Sequence, residues 1–151
     1  MRGQRGYFGI GVYHPKTAEN VGTLWRSAYQ LGASFIYTIG HRYKKQSSDT
    51  LKTWRHIPLF QFDTLEEFQN SPLYDCRVVC IEFCDRAKRL PNFTHPRRAT
   101  YLLGSEDSGF PREILDNTNY LFVEIPSIRT PSYNVAMAGT IVMYDRMVKL
   151  N

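Results

Sequence analysis

Residues 7–39 read YFGIGVYHPKTAENVGTLWRSAYQLGASFIYTI. Tyr7 to Tyr13 and Phe35 to Ile39 are short β-rich runs, the first closed by His14-Pro15, and an amphipathic stretch lies between them. From Val21 to Leu31 the apolar residues Val21, Leu24, Ala28 and Leu31 recur at helical spacing, with Thr17 or Asn20 as N-cap and Gly32 as terminator. At 100° per residue Arg26 points nearly opposite that stripe, so its guanidinium faces solvent, a ligand or a partner. Strand, helix and strand in this order are the seed of an α/β domain.

The pattern continues outward. Pro58 to Phe62 reads as a strand, and Thr64-Leu-Glu-Glu67 is a capping box opening a short helix that ends near Asn70. Arg77 to Phe83 and Ala99 to Leu103 give two more strands, Pro111 fits as the first residue of a brief helix to about Asn117, and Tyr120 to Ile125 is a final strand. The last helix is expected to begin at Ser132. Its first half carries Val135, Ala136, Met137, Ala138, Gly139, Ile141 and Val142 around most of its circumference, which implies burial on nearly all sides. Near-continuous apolar strands alternating with helices argue for a mainly parallel sheet. Ligands on such sheets bind beyond the carboxyl ends of the strands, so the informative loops are those after Leu103 and Ile125 and the entry to the first helix.

A chain of 151 residues has room for one ordinary domain, expected here over 1–151. With 42% hydrophobic and 22% charged residues it has the composition of a folded chain rather than a disordered or collagen-like one. No run approaches the roughly 18 to 20 apolar residues that span a bilayer, which favours a protein without membrane contact in the cytoplasm. Lys and Arg number 19 against 14 Asp and Glu, a net charge of +5 that draws the chain toward polyanions such as nucleic acid. The basic residues cluster at Arg42-Lys44-Lys45, Lys52-Arg55, Arg86-Lys88-Arg89 and Arg97-Arg98, which read as loops or element ends. The cysteines are Cys76, Cys80 and Cys84, too few and too odd in number for a disulfide framework. On a strand their spacing separates the sulfurs by about 13 Å, beyond the reach of one ion, so they read as buried thiols on one strand face.

Several motifs fail. Gly9-Ile-Gly11 lacks the third glycine of a dinucleotide fingerprint, since residue 14 is His, and Gly104 to Gly109 is followed by Phe110-Pro111 where a phosphate loop needs Lys and Ser or Thr. His14, His41, His56 and His95 lie in separate segments and read as surface or loop residues; no metal site is expected. Three segments resist explanation by packing alone. Asn20-Val-Gly-Thr-Leu-Trp-Arg26 is the first. Leu103-Gly-Ser-Glu-Asp-Ser-Gly-Phe-Pro111 puts two acids in a tight turn at the mouth of a sheet. In Ile125-Pro-Ser-Ile-Arg-Thr-Pro-Ser-Tyr-Asn-Val135 two prolines stiffen a loop, Ser132 can cap the buried helix and Asn134 sits in its first turn.

Taken in order, these segments resemble the SpoU/TrmH branch of the SPOUT superfamily of RNA methyltransferases. N-x-G-x-x-x-R is met by Asn20, Gly22 and Arg26, G-x-E-x-x-G by Gly104, Glu106 and Gly109, and I-P followed by S-L-N by Ile125, Pro126, Ser132 and Asn134. Val79-Cys-Ile-Glu82 with Ala87 and Leu90 is similar to a strand and turn of a short subgroup. Tyr133 replaces the usual leucine, Thr23 the common asparagine, and the loop from Ser127 to Pro131 lacks a frequent glycine. The resemblance implies a SPOUT fold with helices on both faces of the sheet and a C-terminal deep trefoil knot, working as a homodimer. It implies transfer of a methyl group from S-adenosylmethionine to a ribose 2'-hydroxyl of RNA, with tRNA ahead of rRNA. The alternatives are a non-catalytic RNA-binding module with a degenerate pocket and a methyltransferase acting on a base nitrogen. Carried over residue by residue, Glu82, Leu103, Gly104, Gly109, Ile125, Pro126, Ser132, Tyr133 and Asn134 would hold the donor. Arg26 would act on the hydroxyl, across the dimer, with Asn20, Glu106, Ser132 and Asn134 around it.

Overall fold

The computed structural model describes residues 6–40 and 56–150. The basic clusters Arg42-Lys44-Lys45 and Lys52-Arg55, and His41, lie outside the described residues. β1 (Tyr7–Tyr13), α1 (Ala18–Gln30) and β2 (Phe35–Ile39) form the expected opening unit, and β3 (Leu59–Phe62) and α2 (Leu65–Gln69) follow. Then come β4 (Arg77–Ile81), β5 (Lys88–Arg89), β6 (Arg98–Leu103), α3 (Arg112–Leu115), β7 (Leu121–Glu124) and α4 (Val135–Leu150). The strands make one seven-stranded sheet in the order β3-β2-β1-β6-β4-β7-β5, every pairing parallel.

Strand alternation divides the core into two layers. Ile10, Val12, Ile36, Val79, Tyr101 and Leu103 pack with Leu24 of α1 and Val142 of α4, whereas Phe35, Tyr37, Val78, Cys80 and Leu102 pack with Phe68 of α2 and Ile114 of α3. Helices therefore cover both faces. Gly9 and Gly11, whose spacing suggested half a dinucleotide fingerprint, have a packing role: a Cβ on either would sit 2.1 Å from the Phe35 ring or 2.4 Å from the Tyr37 ring.

Local chemistry sets the element ends. Thr17 Oγ1 accepts the Asn20 amide as the cap of α1, and Gly32 takes φ +91°, open to glycine at little cost. Thr64 Oγ1 accepts the Glu67 amide, while Glu67 reaches back to the amide of Asp63, one residue before its expected capping-box partner. Pro111 is the cap of α3 rather than its first helical residue.

Two expectations are corrected at the C-terminal end. α4 starts at Val135, and its cap is Asn134, whose Oδ1 accepts the amides of Ala136 (2.9 Å) and Met137 (3.2 Å); Ser132 stays in the loop. His95, expected as a surface or loop residue, lies in the loop before β6 but is buried there, 4% exposed. Its Nδ1 meets Tyr101 Oη and its Nε2 meets Asp145 Oδ2, both at 2.7 Å, while the buried Arg146 donates to the carbonyls of Pro96 and Arg97 and to Tyr101 Oη. This lock fastens α4 to the entry of β6. Arg86, counted among the basic loop residues, spends its guanidinium on the carbonyls of Leu115, Asn117 and Tyr120 and lies over the Phe122 ring. Cys80 is buried in β4, with Cys76 and Cys84 half-buried just beyond its ends. No described helix is long and apolar enough to cross a membrane.

Candidate functional site

Because the strands are parallel, the chain leaves β4, β6 and β7 at the same rim of the sheet, and these three exits wall a cavity of about 340 Å³. Ile81, Glu82 and Phe83 come from the first exit, Leu103 to Glu106 and Gly109 from the second, and Ile125, Pro131, Ser132, Tyr133, Val135 and Ala138 from the third. That size lies at the low end of small-molecule sites, about 300–1,000 Å³.

The middle turn closes on itself. Ser105 and Gly109 exchange amide hydrogen bonds at 3.2 and 2.9 Å, and Gly109 takes φ +64°. A side chain there would be strained by its φ and would also come within 2.7 Å of Glu82 Oε2. Glu82 is half-buried, and burial raises its pKa above the ordinary carboxylate value, while hydrogen bonds from the amides of Phe83 and Phe110 act in the opposite direction.

Asn20 ties the three motifs together. Its Nδ2 donates to Glu106 Oε1, and its Oδ1 accepts Asn134 Nδ2 at 3.0 Å. With Asn134 also capping α4, one hydrogen-bonded chain runs from the turn after β6 through the first turn of α1 to the start of the last helix. Lys16 pairs with Asp107 at 3.1 Å beside it.

Of the residues carried over as donor contacts, Glu82, Leu103, Gly104, Gly109, Ile125, Ser132 and Tyr133 line the cavity. Pro126 and Asn134 do not: the Pro126 carbonyl accepts Tyr133 Oη at 2.6 Å, and the Asn134 amide is occupied by Asn20 and the helix amides. Glu106 and Ser132 border the cavity and Asn20 is joined to it through Glu106. Arg26 is exposed two turns along α1 and is absent from the cavity wall of its own chain. Ile81, Phe83, Ser105, Pro131, Val135 and Ala138 also line the cavity and were missed. Val135 and Ala138 read as helix core and Phe83 as strand, so pattern alone gave no signal for them. Among the described residues no group of three or more His, Cys, Asp or Glu is placed to hold a metal ion.

A parallel sheet with three turns converging on a cavity at its carboxyl rim is the arrangement of a small-molecule-binding α/β protein. The sequence pattern of the SpoU rRNA Methylase family matches residues 8–144. The chain belongs to that family, as the three motifs suggested. It is 26% identical over 141 residues to a tRNA (guanosine(18)-2'-O)-methyltransferase of Borreliella burgdorferi, covering 88% of this chain and 62% of that protein. The AdoMet-bound rRNA methyltransferase of Sinorhizobium meliloti superposes with a TM-score of 0.82 at 23% identity, over 100% of this chain and 59% of that one. A structure described as giving insight into the 2-OH methylation of C/U34 on tRNA has a TM-score of 0.76 at 26% identity, covering 96% of this chain and 91% of its own. The chain thus spans less than two thirds of the Borreliella and Sinorhizobium proteins.

Proposed function

We propose that this chain is a single-domain methyltransferase, dependent on S-adenosylmethionine, that methylates a ribose 2'-hydroxyl of RNA, with tRNA the favoured substrate and the cytoplasm its place of action. The observation that carries this reading is the convergence of all three motifs: two of them wall one cavity, and the first is hydrogen-bonded to both through Asn20. The relatives named for methylation of tRNA at ribose add to it.

The residues present fit the donor. Among the described residues the lining includes the acids Glu82 and Glu106 and no Lys or Arg, which suits a ligand carrying a sulfonium cation. Leu103, Ile125, Val135 and Ala138 supply apolar walls, and Gly104, Ser105 and Ser132 supply polar edges. When bound, the donor supplies an electrophilic methyl group on sulfur. The chain must fix the geometry and exclude water, with alignment alone able to contribute several kcal/mol. The Arg26 guanidinium pairs with the target phosphate or the forming oxyanion and lowers the cost of deprotonating the hydroxyl, while solvent, Glu106 or a phosphate oxygen takes the proton. Asn20 holds Glu106 in place.

Since Arg26 stands off the cavity of its own chain, the reading includes a homodimer in which it serves the partner's cavity. Met137 (59% exposed), Ile141, Tyr144 (57%) and Val148 (55%) form an apolar stripe on α4, next to a groove shared with Ser27, Gln30 and Leu31. The reading also includes the trefoil knot. The strand order, with β6 slotted between β1 and β4 and β7 between β4 and β5, is compatible with such a knot, which the family resemblance implies.

Isotope-labelled donor incubated with RNA from cells lacking the protein tests the function. Label recovered as a 2'-O-methylnucleoside is the expected result. Label on a base would overturn the reaction, and failure of the protein to bind the donor in calorimetry would leave an RNA-binding module.

A further inference from the structure

Phe83, two residues past the end of β4, is 65% exposed although it lines the cavity. A single exposed apolar residue on an open surface needs no explanation, but on a cavity wall it presents a ring face that a ligand can cover. Its backbone is fixed on one side by Glu82, whose Oε1 accepts the Phe83 amide at 3.0 Å. The same carboxylate accepts the amide of Phe110 and abuts Gly109, where a Cβ would approach Oε2 to 2.7 Å. Glu82 therefore braces the turn after β4 against the turn after β6 and sets the direction in which the Phe83 side chain leaves the backbone. The contributions to the cavity from Leu103, Ile125, Val135 and Ala138 are aliphatic, and Phe83 and Tyr133 are its aromatic groups among the described residues. The Tyr133 hydroxyl is already engaged by the Pro126 carbonyl.

We infer that the Phe83 ring is a stacking wall for the adenine of the methyl donor, with Glu82 as its positioning residue. This rests on the methyltransferase reading above. A flat apolar wall with polar backbone at its edges recognises a nucleobase, because every base has a π face and a rim of donors and acceptors. The target RNA also carries bases; the donor is favoured because Phe83 shares one cavity with Gly104 and Ile125 at the rim.

Calorimetry with S-adenosylmethionine and S-adenosylhomocysteine, alongside filter binding of an unmodified tRNA transcript, tests the inference. Phe83→Ala and Phe83→Leu are expected to raise the Kd for both nucleosides about 10-fold or more, the scale of one lost base–aromatic stack, while Phe83→Trp stays within about 3-fold of the parent. The transcript's Kd should be unchanged. Equal donor affinity in Phe83→Leu would reduce the ring to simple apolar packing and overturn stacking; a loss confined to the transcript would assign the ring to an RNA base and overturn it as well. For Glu82, a double-mutant cycle decides: Glu82→Ala should weaken the donor markedly with Phe83 present and little in the Phe83→Ala background. Additive losses would remove the positioning role. Parent protein that binds neither nucleoside would defeat the methyltransferase reading itself, an outcome distinct from a parent that binds and variants that bind equally.

Discussion

Arg26 and His95 show how far one side chain's chemistry depends on what surrounds it. Arg26 stands exposed on α1, where packing gives an arginine no task. Arg26→Ala is expected to leave donor affinity unchanged and lower methyl transfer at least about 100-fold, the scale of a lost oxyanion partner, in a single-turnover assay with labelled donor. Unchanged turnover would remove Arg26 from the mechanism. His95 is the opposite case. Arg146 donates to Tyr101 Oη, which leaves the phenol proton for His95 Nδ1 and makes Nε2 the donor to Asp145, so the neutral ring fits its site. Burial holds the His95 pKa below its ordinary value of 6.5, and nearby Lys149 and Arg146 push the same way, against Asp145. A folded-state pKa below the unfolded one makes this contribution to stability complete above about pH 6.5 and progressively lost as pH falls through the folded value. Thermal melts from pH 7 to pH 5 should show a falling midpoint that flattens in His95→Gln; identical slopes would refute the coupling. The sequence read His95 as a surface or loop residue; the loop is there, but its burial was not legible because its partners lie 6 and 50 residues away.

At the scale of elements, most of the sheet was legible because the central strands β1, β2, β4 and β6 bury both faces and α1 carries a 3.6-residue stripe. Ends were less so. β5 has only two residues, Lys88 and Arg89, both exposed, and is held by its pairing to β7, which hydrophobic pattern does not report. The sequence put the start of α4 at Ser132, a good cap; the structure uses Asn134 instead, whose amide also reaches Asn20. The glycines of β1 illustrate the same limit. A missing third glycine excluded dinucleotide binding, but the reason for Gly11 needs the register that sets it beside Tyr37. The Tyr37 ring is fully buried, stacked on Phe68 at 4.7 Å and fixed through its hydroxyl by Thr100. It cannot yield to a methyl group. Gly11→Ala should therefore destabilise by about 1–3 kcal/mol. In a chain of this size that lowers Tm by about 2–4 °C per kcal/mol. A melt at the parent temperature would show that the ring moves freely.

At the scale of the whole molecule, the proposed division of labour between copies follows from one mismatch. The cavity with Glu106 and Ser132 sits at the carboxyl rim of the sheet, and Arg26 stands away from it on a helix whose neighbour α4 exposes Met137, Tyr144 and Val148. A two-fold dimer is self-complementary, so the proposed homodimer covers this stripe with its own copy, and the proposal has each Arg26 serve the other chain's rim. Tyr144→Glu places a charge in the covered stripe. It should convert the protein from twice the monomer mass to the monomer mass in sedimentation, abolish methyl transfer and keep donor binding, since no cavity residue changes. The decisive measurement mixes two inactive variants. Arg26→Ala keeps the cavity; Gly104→Val fills the tight approach to Gly109, where even a Cβ comes to 3.3 Å, and keeps Arg26. If Arg26 serves its own cavity, neither the parents nor their mixed dimer has a complete site. If it serves the partner's, each mixed dimer holds one. Random reassociation of equal amounts then restores roughly a quarter of wild-type activity, because half the dimers are mixed and each has one working site of two. No recovery from a mixture proven to contain mixed dimers would place Arg26 in its own chain's site and remove the need for a dimer in the chemistry.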